Sequence, residues 1–388
     1  MDKLKTWTIW LKSALETGRG KKRNLQPLDG LRGFAILLVF INHFVVLFSP
    51  WFPQPSATYS IARFLQADGR AGVYLFFFLS GYLIYGMLID RPRPFWKFIS
   101  RRVQRIYPTY FVVLLIYIGL SFFFPSESRI PSQPGQAAVY ILANLLLLPG
   151  TFNIMPIISV TWTLSLEMFY YLTMPLIIAV FRLRSWQPKW RIGFSLFLAF
   201  MVLFLYVGLG GSGEHIRMMM FFAGAALYDT LKVYPSWAKV KGVGLLALAI
   251  SFLIVPFLPQ TPAGAVQRTL VFFVAIFVLY LDCVANLDSI TARLFSWKPM
   301  RWFGNISYSY FLIHGLTLQF LVLLLTRVLP PQGDSAYIFW IGLPIAFLIS
   351  IVPTIILFLT VERPYSLLPA ERRQTSTGLE IPEGTKSS

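Results

Sequence analysis

The sequence predicts an all-α fold: a polytopic membrane helical bundle of about ten spanning helices, with both termini cytoplasmic. Three observations lead there. Of the 388 residues, 56% are hydrophobic and 17% aromatic while only 13% are charged, a balance that a water-soluble domain of this length does not need. The apolar residues are gathered into long runs separated by short polar segments. The basic residues behind the net charge of +18 lie in those segments, as cytoplasmic loops do, and not in a patch suited to nucleic acid, which is excluded as a partner.

Taken in order, residues 1–28 carry Leu4, Trp7, Leu11 and Leu15 at helical spacing among Lys3, Lys5, Lys12, Lys21, Lys22 and Arg23. They read equally as an interfacial helix on the cytoplasmic leaflet and as a basic tail. The first span, 29–49, lacks a small-residue cleavage site, so it is not a cleaved signal peptide. Further apolar runs follow at 71–89, 103–124, 137–150, 162–181, 192–210, 216–231, 242–258, 265–282, 303–328 and 337–361. Charge decides which of these cross. With the N-terminus inside, the segment 90–102 also falls inside. Arg182, Arg184, Lys189 and Arg191, then Lys232, Lys239 and Lys241, then Arg293, Lys298 and Arg301, then Arg372 and Arg373 fall there only if 137–150 does not cross. That run has only fourteen residues, so 125–161 is expected to be an outer excursion, with re-entry left open. Residues 29–365 then form one transmembrane domain, and the polar segment 366–388 a disordered cytoplasmic tail. A lone cysteine, Cys283, excludes an internal disulfide framework, and no internal repeat is visible.

The chemistry rests on polar residues inside these spans. In DGLRGFAILLVFINHF, Arg32 and His43 lie eleven residues apart, about 16 Å along a helix. One is at a membrane surface and the other is deep, where a titratable group is costly. Glu167, in TWTLSLEMFYYL, lies at nearly the depth of His43 when both are counted from the outer helix ends. A carboxylate there would orient and charge-balance the imidazole for catalysis, or merely fasten two helices. In SRRVQRIYP, Arg101 and Arg105 stack on one helix face with Arg102 beside them, at the inner level of Arg32; Arg32, Arg102 and Arg105 suit a polyanionic phosphate ligand, and Asp29 either pairs with Arg32 or caps its helix. For Arg91, Arg93 and Lys97, positive-inside topology and lipid contact suffice. Weaker candidates for substrate contact or a channel are Ser80, next to Gly81 in a small pair that permits close helix approach, Tyr308, and His314. His215 is incidental, and the three histidines at different depths make no convincing metal site.

These pieces resemble the membrane acyltransferase-3 family of integral membrane O-acyltransferases. The matches run in the family's order: LDGLRGFAILLVFINHF, GVYLFFFLSGYLI, RRVQRIYP, TWTLSLEMFYY, SYSYFLIH and, near the end, VERP, covering about residues 25–365. The resemblance implies a bacterial multi-pass inner-membrane enzyme that moves an acyl group, acetyl by expectation, from cytoplasmic acyl-CoA to a hydroxyl of a cell-surface or exported glycan or glycolipid. Its functional residues match Arg32 and His43, Arg102 and Arg105, and Glu167. His43 is then expected to act as general base or acyl carrier beside Glu167, with the arginines on the CoA phosphates and no permanently bound cofactor. The appended extracytoplasmic hydrolase-like domain of some members is missing from this sequence, which reads as a stand-alone member. Two alternatives remain: the same enzyme class with a succinyl or longer acyl group, and a proton-coupled transporter using His43, Glu167 and His314 as a relay.

Overall fold

The computed structural model describes residues 15–16, 26–152, 154–209, 215–235 and 241–367. Among these residues the chain is helical and contains no strand. An apolar medium leaves backbone amides no water to bond, and helices satisfy them internally. The expected interfacial segment within 1–28 and the tail from 368 onward lie almost wholly outside the described residues.

Fifteen α-helices follow one another among the described residues. They are α1 Gln26–Phe48, α2 Ala57–Gly69, α3 Ala71–Asp90, α4 Phe95–Phe123, α5 Pro134–Leu145, α6 Thr161–Val180, α7 Pro188–Gly208, α8 Met219–Val233, α9 Val243–Ile254, α10 Pro262–Ala285, α11 Ile290–Phe295, α12 Lys298–Asn305, α13 Ser307–Val328, α14 Ala336–Trp340 and α15 Gly342–Leu357. A π-helical segment, Phe358–Leu367, continues α15. Starts carry the expected caps: Ser56, Thr261 and Ser289 accept from backbone amides of the first turn of α2, α10 and α11.

Eight helical stretches among the described residues are long and apolar enough to cross a membrane. The runs 216–231 and 242–258, counted as spans from the sequence, form the shorter helices α8 and α9, so length alone supports eight of the ten. Both runs are already at the lower limit of a span, and a 3-10 turn takes up part of each, His215–Met218 ahead of α8 and Val255–Phe257 after α9. The run 137–150 forms only the twelve-residue α5 and then turns at Leu147 in a left-handed conformation (φ 55°). At about 1.5 Å per residue it is far too short to cross.

Large apolar side chains on the outside, such as Phe197, Phe204, Val207, Leu348 and Val352, form a belt that only lipid would cover favourably. Inside, helices approach to backbone contact where glycine allows. A Cβ on Gly81 of α3 would stand 2.0 Å from the carbonyl oxygen of Phe221 in α8, and one on Gly33 of α1 would stand 2.2 Å from that of Met300 in α12. The small pair Ser80–Gly81 thus works as the sequence suggested, setting α3 against α8.

Polar links tie several loop ends together at one end of the bundle. Lys232 pairs with Asp90 at 2.5 Å, Arg184 donates to the carbonyl of Leu88, and buried Arg191 makes a two-point pair with Asp229. These are loop ends that the charge pattern assigns to one side of the membrane, and Arg102 lies at the same end, its guanidinium on Met87.

Candidate active site

Arg32 sits on α1 because Gly30 and Gly33 let that helix lie against the backbone of Phe295 and Met300, which sets its height and rotation. Its Nη2 donates to Ser307 Oγ at the start of α13 (3.1 Å). On α4, Arg102 and Arg105 are three residues apart and so share a face. The Arg102 guanidinium lies 5.4 Å from the ring centre of Phe98 and 5.5 Å from that of Tyr171, and Arg105 lies 5.7 Å from that of Tyr308. The Tyr308 hydroxyl donates to the carbonyl of Ile106 (2.7 Å), locking α13 to α4.

These residues line one cavity of about 350 Å³. Of the eight positions singled out in the sequence, Arg32, Ser80, Arg102, Arg105, Glu167 and Tyr308 face it. Its character changes along its length. The arginines and Asp29 stand at one end; Phe76, Phe77, Leu79 and Phe311 make the rest mostly apolar. Arg102 has no carboxylate partner among the described residues, and its Nε is buried without a hydrogen bond. That leaves its charge available to a ligand. Just outside, Arg93 is held below the ordinary guanidinium range by burial first and then by Arg101, Arg102 and Arg91. The positive charge at this end is therefore concentrated.

Glu167 accepts hydrogen bonds from Ser80 Oγ (2.6 Å) and from the hydroxyl of Tyr171, one turn further along α6. No hydrogen bond joins it to His43. Depth counted from helix ends gives height in the bundle but not lateral position, and laterally Glu167 faces the arginine cavity.

His43 meets His314 instead. The two rings stand edge to face with centroids 5.2 Å apart. Nδ1 of His314 is 2.9 Å from the carbonyl oxygen of Tyr310, four residues back on α13. A carbonyl only accepts, so Nδ1 carries the hydrogen and Nε2 keeps its lone pair, buried and without a hydrogen-bond partner among the described residues. Tyr310 stacks on the ring of His314 (5.4 Å, 9°) and is held through its hydroxyl by Ser350 Oγ (2.7 Å), so the imidazole is fixed in place. Neither histidine lines the arginine cavity. The separation is one aromatic wall: Phe311, which lines the cavity, packs on His314 with centroids 6.4 Å apart and on Phe76 at the same distance.

Two further positions belong to the site. Glu362, within the π-helical segment, is fully buried; one oxygen is 3.0 Å from Arg105 Nη1, and the other accepts from the amide (3.1 Å) and hydroxyl (2.6 Å) of Ser309. It holds Arg105 against α13. The signal for it was the carboxylate of VERP, one residue past the last apolar run. Tyr171 is the other, and its signal was the i,i+4 spacing from Glu167.

The model of a family described as "Acyltransferase domain" matches residues 26–362, most of the chain. Among curated relatives, the peptidoglycan O-acetyltransferase OatA of Listeria monocytogenes is 26% identical over 332 residues, covering 77% of this chain and 50% of that protein. The putative peptidoglycan O-acetyltransferase YrhL of Bacillus subtilis is 24% identical over 324 residues (75% and 48%), and the O-acetyltransferase OatA of Staphylococcus aureus 26% over 333 (75% and 50%). The chain thus spans about half the length of these relatives. No solved structure matches. With six motifs in order, an arginine-ended cavity lined by five of them and a family model covering nearly all the described helices, the chain belongs to the acyltransferase-3 family.

Proposed function

We propose that this protein is a membrane O-acyltransferase that moves an acetyl group from cytoplasmic acetyl-CoA to a hydroxyl of a cell-surface or exported glycan, in the cytoplasmic (inner) membrane of a bacterium. The observation that carries this reading is the polarity of the cavity, three arginines at one end and an apolar stretch that ends at the aromatic wall before the His43–His314 pair. Phosphate oxygens of the donor suit the guanidinium groups of Arg32, Arg102 and Arg105, each of which offers planar, paired donors. A volume of about 350 Å³ lies at the lower end of small-molecule sites and suits a slim pantetheine arm better than a whole nucleotide. The adenosine part is then left at the basic mouth. Between Arg32 and His43 the helix rises about 16 Å, a length of the order of such an arm. Eleven residues are close to three full turns, so both side chains leave α1 on the same face.

In this mechanism the acetyl thioester passes the Phe76–Phe311 wall and His43 acts as general base. As the acceptor oxygen bonds to the thioester carbonyl carbon, its proton passes to His43. The C–S bond then breaks, and the CoA sulfur leaves with that proton as a thiol. The ring of His314, fixed by the carbonyl of Tyr310, packs edge to face on His43 and limits how that imidazole can turn. Glu167, fixing Ser80 and Tyr171, positions the aromatic support of Arg102. The apolar wall keeps bulk water from the thioester. The relatives named for peptidoglycan acetylation support a glycan acceptor and an acetyl donor.

Kinetics on the purified protein test the donor end. Arg102→Gln should raise the KM for acetyl-CoA roughly tenfold or more with kcat changed far less, because it removes a charge-assisted contact to a non-reacting part of the donor. Unchanged KM values in the Arg32, Arg102 and Arg105 variants would remove the phosphate clamp from the account.

A further inference from the structure

A second set of arginines lies at the opposite end of the bundle from Arg102. Arg70 precedes α3, Arg217 precedes α8, and Arg268 lies in the second turn of α10. They are near neighbours: Arg70 experiences the charges of Arg268, Arg217 and Arg63. On the topology proposed above this end is extracytoplasmic, where arginine is ordinarily depleted, and converging like charges carry a repulsive cost.

No carboxylate among the described residues offsets that cost. Arg70 donates only to the side chain of Gln260 (3.3 Å), and Arg268, 8% exposed, donates to the carbonyl of Pro259. Arg217 is sandwiched by rings, its guanidinium 4.8 Å from the centre of Trp162 and 5.7 Å from that of Tyr74, and its Nε is buried with no acceptor. Stacking of this kind holds the guanidinium plane in a fixed orientation with its edge donors available. The ring of Tyr74 is itself fixed by a 3.0 Å hydrogen bond with Thr269, next to Arg268.

The cluster borders one cavity through Arg70 and lies close to the end of the arginine cavity described above. Arg70, with Arg63, Gln66 and Gln260, lines a second one of about 670 Å³. Trp162 adjoins Thr163, and Arg70 precedes Val73 by one turn; Thr163 and Val73 both line the arginine cavity described above. The level is also that of His43, since Gly69 packs against Asn42 and the carbonyl of Leu38.

We propose that Arg70, Arg217 and Arg268 form an acceptor-binding site that grips a carboxylate or phosphate of an acidic glycan while the hydroxyl to be acylated reaches towards His43. This rests on the acyl-transfer reading. It assigns the acceptor a chemical class, a glycan bearing oxyanions, and gives three costly arginines on the wrong side of the charge rule a ligand. An anionic lipid headgroup offers the same oxyanion, and the experiment below separates the two.

The full chain is reconstituted in nanodiscs of neutral phosphatidylcholine, and binding is measured for hyaluronan hexasaccharide, poly(glycerol phosphate) and uncharged chitohexaose. The wild type should bind at least one of the acidic probes roughly tenfold or more tighter than chitohexaose. Arg70→Gln and Arg217→Gln should each remove most of that preference, Arg217→Lys should restore part of it, and acetyl-CoA binding should be unchanged in all three. Arg102→Gln should do the reverse. Equal binding of all three probes by the wild type, or undiminished acidic-probe binding in both glutamine variants, overturns the proposal. So does a lipid result: with phosphatidylglycerol added, loss of retained anionic lipid in Arg217→Gln by native mass spectrometry while acidic-probe binding stays intact. Failure of the wild type to bind acetyl-CoA would instead sink the transfer reading, leaving the glycan measurements to be judged on their own.

Discussion

His43 and Glu167 show what sequence arithmetic can and cannot deliver at the scale of the residue. Both were legible as costly polar groups in apolar helices, and six of the eight positions singled out do line one cavity. Their pairing was not legible, because residue counting along two helices leaves their lateral positions free. Glu167 spends its carboxylate on Ser80 and Tyr171, and the ring of Tyr171 carries Arg102. A testable distinction follows. Glu167→Gln should raise the KM for acetyl-CoA by roughly tenfold, since an amide oxygen replaces a carboxylate that takes two hydroxyl donors. A drop in kcat alone would instead make it the electrostatic partner of His43. The ring beside His43 is that of His314, whose Nδ1 faces the carbonyl of Tyr310.

Elements bring these residues together, and they do so through contacts far apart in sequence. The Arg105–Glu362 pair joins α4 to the last helical segment, and Arg32–Ser307 joins α1 to α13. No local pattern announces either; only a carboxylate at the very end of the last apolar run was visible. Close helix approach was more legible, because Ser80–Gly81 is a small pair. Gly81→Leu puts a side chain where the Phe221 carbonyl already lies and should force α3 and α8 apart. The expected result is loss of folded protein, read as a fall in thermal stability in detergent, with overpacking costing about 1–3 kcal/mol or more. A variant as stable as the wild type would mean that α3 and α8 are not packed as described. The spans counted at 216–231 and 242–258 form α-helices of only 15 and 12 residues because a 3-10 turn takes up part of each run, whereas apolar composition does not distinguish the two kinds of turn.

At the scale of the whole molecule the central statement is directional, a donor end at Arg102 and an acceptor end at Arg217. The only native thiol, Cys283, is buried, so single cysteines introduced at exposed sites report sidedness with little background. In intact cells, Leu209→Cys should react with a membrane-impermeant maleimide and Trp96→Cys should be protected until the cells are opened; both positions are well exposed. The opposite pattern would invert the donor and acceptor ends. Composition made the helical bundle legible at once and the charge pattern proposes its sidedness, whereas the second arginine cluster emerged only when α3, α8 and α10 were seen side by side. The most direct measurement is transfer of labelled acetyl from acetyl-CoA to glycan by His43→Ala at matched expression and with donor binding intact. The account predicts a loss of about 10²-fold or more, the contribution of a general base; transfer at the wild-type rate would contradict it.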